Sequence, residues 1–177
     1  MVQSSHNYLV RNRVVAAAGS AGFFVLAPGI VAGLIPWLLT RWDAEPIWLP
    51  LRVIGWILLA AALAVLISAF VRFVAEGLGT PAPIAPPERL VVGGFYRYVR
   101  NPMYLAVLST IIGQALILGQ WILPLYAVIV SAAFYAMVRW HEEPVLRRNF
   151  GSQYEVYKAA VPGWLPRIRP WQPPKSA

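Results

Sequence analysis

Apolar residues arrive along this chain in long blocks, set apart by short polar, aromatic or proline-rich segments. The first block, Val14 to Leu39, crosses a hydrocarbon core of roughly 30 Å at about 1.5 Å per helical residue, even when tilted. Neither half would span alone, so the block predicts one helix bent at Pro28-Gly29 and at Pro36. Arg41 to Pro50 mixes Trp42 and Trp48 with Asp43 and Glu45, the composition of a loop at headgroup level. Leu51 to Phe73 is the second block. Gly77 to Pro87 is too dense in proline and glycine for a helix or an interior strand and predicts an irregular connector. Tyr104 to Leu118 and Ile122 to Val138, separated by Gly119-Gln120-Trp121, predict a tight membrane hairpin with Pro124 near the start of its second arm.

Beyond Arg139 the pattern becomes amphipathic. Leu146, Phe150, Tyr154, Tyr157 and Val161 fall on one helical stripe, with Arg147, Arg148 and Lys158 off it, which predicts an interfacial element. Gly151 should divide it, because Ser152-Gln-Tyr-Glu155 has the form of a capping box opening a second short helix. No internal repeat is evident. The expected fold is an all-α integral membrane protein with about four transmembrane helices and a C-terminal amphipathic interfacial segment. It forms a single domain over residues 1–177, with spans at 14–39, 51–73, 104–118 and 122–138, a connector over 77–103 and a tail over 139–177.

Composition agrees. Hydrophobic residues make up 59% of the chain and charged residues 12%, outside the balance of a soluble domain. The 177 residues leave no room for a second domain of ordinary size. The formal charge of +8 does not indicate nucleic acid, because the basic residues flank apolar blocks instead of gathering on a soluble face. Of the 15 Lys and Arg, Arg41 and Arg52 fall on one side of a four-span arrangement and all others on the opposite side. Both termini and the connector are therefore expected to be cytoplasmic. Arg11 and Arg13 precede an apolar run longer than a signal-peptide core, which reads as an uncleaved first span. The absence of cysteine excludes disulfides, a thiol nucleophile and Cys-ligated metals. His6 and His141 have no metal-site spacing to the carboxylates, so no metal is expected. Gly77-Leu-Gly79 lacks the context of a dinucleotide loop, and no Ser-His-Asp arrangement is legible.

Candidate chemistry sits at the polar ends of the hairpin. Arg139, Glu142 and Glu143 stand at i, i+3 and i+4, so a continuing helix brings one guanidinium and two carboxylates to one face while His141 points elsewhere. Pro144 makes that convergence depend on where the helix breaks. Ionisable groups at the end of a span are functional candidates, and the same trio also reads as a solvated rim that ends the span. Arg97 and Arg100 read as topology and headgroup anchors, and Tyr96, Tyr98 and Tyr104 as belt aromatics.

Two motifs, in order, carry a family likeness. Leu90-Val-Val-Gly-Gly-Phe-Tyr-Arg-Tyr-Val-Arg-Asn-Pro-Met-Tyr104 is followed after the hairpin by Glu142-Glu-Pro-Val-Leu-Arg-Arg-Asn-Phe-Gly-Ser-Gln-Tyr-Glu-Val-Tyr157 and Val161-Pro-Gly-Trp-Leu-Pro166. Together they resemble the isoprenylcysteine carboxyl methyltransferases, whose wider group includes phospholipid N-methyltransferases. The likeness covers Gly77 to Arg167. It implies S-adenosylmethionine held on the cytoplasmic side, with Glu88, Arg89, Leu90 and Val91 lining it largely through backbone. Tyr96, Asn101, Pro102, Met103 and Tyr104 would contact it, Glu143, with Glu142 beside it, would bind its ribose or amino group, and Arg139 would address the acceptor. The family usually carries Arg-His-Pro where this chain has Arg100-Asn101-Pro102. Asn can supply a similar neutral hydrogen bond but cannot titrate near neutral pH, so the departure puts a general-base role at that position in doubt.

The implied reaction is methyl transfer to a lipophilic or small amphiphilic acceptor met at the membrane interface, with the bilayer as the protein's surroundings. Displacement at a sulfonium methyl needs mainly positioning and exclusion of water. A carboxylate acceptor needs no base and would anchor on Arg139, whereas an ammonium must first lose a proton, to Glu142 or Glu143. The alternatives are a phosphatidylethanolamine-type N-methyltransferase and a non-catalytic membrane scaffold.

Overall fold

The computed structural model describes residues 26–77 and 89–172. Among them every regular element is helical and there is no strand. Helix α1 is Leu26–Thr40, α2 is Leu49–Gly77, α3 is Pro102–Leu118, α4 is Ile122–Met137, and α5 is Glu143–Ala160. The second, third and fourth expected blocks coincide with α2, α3 and α4, whereas residues 14–25 of the first, and 78–88 of the connector, lie outside the described residues. Leu49–Phe73 and the continuous helix Ile122–Ala160 are long and apolar enough to cross a membrane, while Leu26–Thr40 and Pro102–Leu118 are shorter apolar helices.

Prolines shape two of these helices through the same device. Proline has no N–H to offer the carbonyl four residues back, and its ring crowds that carbonyl. In α1 the turn before Pro36 accordingly widens into a π turn at Ile30–Leu34, in which the Ile35 N–H reaches Ile30 O. Pro28-Gly29, expected to bend the helix, leaves Gly29 helical at φ −63° and ψ −39°. The distortion deprives the carbonyls of Val31 and Ala32 of helical donors. Tyr126 Oη donates to Val31 O at 2.9 Å and Gln114 Nε2 to Ala32 O at 2.6 Å, which ties α1 to α4 and α3. Ahead of Pro144 a second π turn, Val138–Glu142, joins α4 to α5, with the Glu143 N–H on Val138 O. The helix therefore runs through Pro144 instead of breaking there.

Helices α2 and α3 lie antiparallel in close contact. A Cβ on Gly55 would fall 2.8 Å from Gly113 O, and one on Gly113 would fall 3.1 Å from Gly55 O, so the two backbones meet where neither carries a side chain. Around this crossing Leu66, Ala106, Val107, Ile111, Leu123 and Ala127 form the main core. Gly119 ends α3 in the left-handed region at φ 70°, its N–H on Ala115 O, and lets the chain turn into α4. The outer faces are apolar too: Ile54, Trp56, Ile57 and Val71 of α2 and Leu125, Val128 and Ile129 of α4 are exposed. Such a continuous apolar exterior fits lipid as the solvent.

Candidate active site

The N-terminal end of α3, the end of α4 and the segment after α5 converge at one end of the bundle. A 3-10 turn at Gly94–Arg97 leads to Tyr98–Asn101, which is laced to the chain beyond α5. The Arg100 N–H donates to Pro162 O at 2.9 Å, the Arg167 N–H to Tyr98 O at 3.0 Å and the Trp171 N–H to Arg97 O at 2.9 Å. Tyr157 Oη donates to Tyr96 O at 2.7 Å. Beneath this lacing Tyr154, Tyr157 and Val161 are buried with Leu90 and Val92 packed against them.

Glu143 is the electrostatic centre. Its side chain is 8% exposed, and both oxygens carry cations: Arg100 Nη1 lies 3.0 Å from Oε1, Lys158 Nζ 2.5 Å from Oε2 and Arg139 Nη1 3.8 Å from Oε2. Burial opposes its ionisation, but the hydrogen bonds from Lys158 and Arg100, together with their charges, outweigh it and hold the carboxyl below the usual carboxylate range. Arg100 also donates to Tyr154 Oη at 2.9 Å and, through Nε, to Val161 O at 3.0 Å. Three cations around one carboxylate leave the site net positive.

Glu142 turns the other way. It accepts a hydrogen bond from Tyr104 Oη in the first turn of α3. Burial pushes its carboxyl up, and the Tyr104 hydrogen bond and the nearby His141 offset only part of that. The wide π turn separates the two neighbouring carboxylates, so the expected single face holds Arg139 and Glu143 but not Glu142. Tyr104 stands at one end of an aromatic wall, with ring centroids 4.5 Å from Phe134 and 6.3 Å from Trp164, and Tyr135 stands 6.2 Å from Trp164.

Between the charges and this wall lies a cavity of about 270 Å³, lined by Arg100, Tyr135, Val138, Arg139, Glu143, Lys158, Gly163 and Trp164. Gly163 keeps it open, since a Cβ there would come 3.1 Å from Arg100 Nη2 and 3.6 Å from Asn101 Nδ2. That Asn101 nitrogen is buried and has no hydrogen-bond partner among the described residues. A buried donor left without an acceptor is costly unless a ligand or water completes it.

The expected site residues thus divide. Asn101, Tyr104, Arg139, Glu142 and Glu143 gather at or beside the cavity. Pro102 is buried at the start of α3, while Val91, Tyr96 and Met103 pack with Ala69. Leu90 faces the tyrosine cluster, Arg89 is exposed, and Glu88 lies outside the described residues. In the sequence Arg100 reads only as an anchor, and Lys158, Gly163 and Trp164 carry no functional signal of their own. Near-complete burial of a carboxylate demands cationic partners, but one sequence does not reveal which distant cations provide them. Gly151 does interrupt α5, at φ 49° and ψ −124°, and Glu155 pairs with Arg147 across it at 2.6 Å.

The described residues thus form an apolar helical bundle with a charged cavity at one end. The family described as phospholipid methyltransferase matches residues 50–153, more than half of the chain, and the chain belongs to that family. Over 79 residues it is 34% identical to Protein-S-isoprenylcysteine O-methyltransferase of Schizosaccharomyces pombe (strain 972 / ATCC 24843), a match that covers 45% of this chain. The chain spans about a third of that relative, 34% of its length. No solved structure matches the chain significantly.

Proposed function

We propose that the cavity is the active site of a membrane methyltransferase that takes its methyl group from S-adenosylmethionine and passes it to a lipophilic or small amphiphilic acceptor. The observation that carries this reading is the unpartnered Asn101 donor beside Gly163, at the edge of a cavity already lined by charged and aromatic groups. The donor set suits the cofactor: Asn101 Nδ2 can meet a carbonyl, carboxylate or hydroxyl, and Lys158 can meet the carboxylate of its methionine part. Leu90 and Val91, whose side chains are packed away, offer backbone groups only. Both Glu143 oxygens are engaged, so a ribose hydroxyl or ammonium reaches it most easily in place of Arg139, whose 3.8 Å contact is the longest. The bound cofactor supplies an electrophilic methyl on a sulfonium. The chain's own contribution is to hold the acceptor in line and to keep water away, through the Trp164, Tyr135 and Tyr104 rings.

In this reading four spans cross the bilayer, with both termini and the cavity on the cytoplasmic side. Arg139, half exposed at the rim, anchors a carboxylate acceptor. One arrangement favours the phospholipid amine alternative: Glu142, kept basic relative to its neighbour, stands beside an aromatic wall able to receive an ammonium. The test is label transfer from methyl-labelled S-adenosylmethionine by the purified protein in nanodiscs, with carboxylate and phosphatidylethanolamine acceptors in parallel. Base-labile label marks an ester and base-stable lipid label an N-methyl group. Transfer to neither, by folded protein with no affinity for the cofactor, would favour the scaffold.

A further inference from the structure

The segment after α5, residues 161–172, is fastened at both ends and yet turns two large aliphatic side chains outward. Its backbone is fixed by the bonds to Tyr98, Arg100 and Arg97 described above, and Arg97 Nε closes on Trp171 O at 2.6 Å. Arg167 Nη1 donates to Ala160 O at 2.8 Å. Between these clamps Leu165 is 80% and Ile168 96% exposed. Aliphatic groups displayed by a backbone that is itself held in place point to a surface they are meant to meet.

Charge and height identify that surface. Residues 161–172 contain no carboxylate, Arg169 is exposed beside Ile168, and Arg148 is exposed on α5, where the neighbouring Arg147 is paired with Glu155. Trp140, on the π turn, is 76% exposed and is of the residue type that sits at headgroup level. The Trp164 ring lies within 6.3 Å of Tyr104, in the first turn of α3, and of Tyr135, in the last turn of α4. The strap therefore stands level with the ends of apolar helices, where hydrocarbon gives way to headgroups.

We propose that this strap docks into an anionic lipid leaflet, with Leu165 and Ile168 among the upper acyl chains and Arg169 on lipid phosphates, so that the bilayer holds the Gly163–Trp164 wall of the cavity. The inference rests on membrane placement of the apolar helices and is independent of methyl transfer.

The chain has no cysteine, so single-cysteine variants carry an environment-sensitive fluorophore without ambiguity. Leu165→Cys and Ile168→Cys are compared in proteoliposomes with Ile57→Cys, on the exposed apolar face of α2, and with Asn149→Cys, on the polar surface of α5. Probes at 165 and 168 are expected to be quenched by nitroxide-labelled lipid at least half as strongly as the probe at 57. They are also expected to be several-fold less accessible to iodide than the probe at 149, with lipid quenching stronger in phosphatidylglycerol-containing vesicles than in phosphatidylcholine alone. Lipid quenching at 57 with iodide quenching at 165 and 168 would overturn the strap proposal and leave membrane placement standing. Iodide quenching at 57 would overturn both, and a response indifferent to phosphatidylglycerol would overturn the anionic assignment.

Discussion

Arg100 and Glu143 stand 43 residues apart in sequence and meet at 3.0 Å with both side chains largely buried. The pair fastens the start of α3 to the start of α5 and sets the charged wall of the cavity. Removing Arg100 leaves Glu143 its Lys158 partner but takes away a charge-assisted hydrogen bond and the donors to Val161 O and Tyr154 Oη, at a cost of about 2–3 kcal/mol. Arg100→Met is expected to lose about that much stability in detergent unfolding, and Arg100→Lys to rescue little, because one ammonium cannot serve Val161 O, Tyr154 Oη and Glu143 together. A loss well under 1 kcal/mol for Arg100→Met would contradict the assignment.

Glu142 and Glu143 are expected to titrate on opposite sides of the ordinary carboxylate value. Ionised Glu143 stabilises the fold above that value, and its contribution is lost as pH falls through its lowered folded pKa. The fold favours protonated Glu142, so its contribution is present at low pH and is lost as pH rises through its raised folded pKa. With only 7 acidic residues in the chain, carboxyl carbon NMR, assigned by Glu142→Gln and Glu143→Gln, can follow both. Co-titration of the two carbons would contradict the divergence at the π turn.

Two glycine-to-alanine changes should differ in sign. Gly55→Ala drives a methyl against Gly113 O and is expected to cost about 1–3 kcal/mol by overpacking. Gly29 is helical, and a Cβ added there would meet nothing within 4 Å, so Gly29→Ala is expected to be neutral or to stabilise by up to about 1 kcal/mol through helix propensity. Parallel unfolding curves check both, and equal effects would argue against the close crossing.

Gln114→Leu withdraws the donor that serves Ala32 O and is expected to cost about 1–2 kcal/mol, because the carbonyl freed by Pro36 then has no replacement. The same change in a Pro36→Ala background should cost less, since an alanine N–H can return to the carbonyl. A double-mutant cycle measures the difference, and strict additivity would rule out the link.

Block length is enough to place the apolar helices α2, α3 and α4, because uninterrupted apolar runs of that length exceed a strand and read as helix. Pro36 and Pro144 were visible as disturbances, but the π turns that absorb them depend on which neighbours can serve the freed carbonyls, and Gln114 and Tyr126 lie far along the chain. The split between Glu142 and Glu143 was hidden for a related reason: i, i+3 and i+4 spacing presumes an undistorted helix. Lys158 stands off the apolar stripe, a position that gives no hint that Glu143 is buried against it. Trp164 sat within a family motif without a role, since only the fold of residues 161–172 brings its ring to Tyr104 and Tyr135.

The most direct test of the central claim is calorimetric titration of the detergent-purified protein, in a lipid-like environment, with S-adenosylhomocysteine, wild type beside Asn101→Leu and Glu143→Ala, the folding of each checked independently. Binding by the wild type, weakened about tenfold or more by Asn101→Leu and lost in Glu143→Ala, is the predicted result. Well-folded wild type that does not bind, or variants that bind as tightly as it does, would contradict the cofactor site.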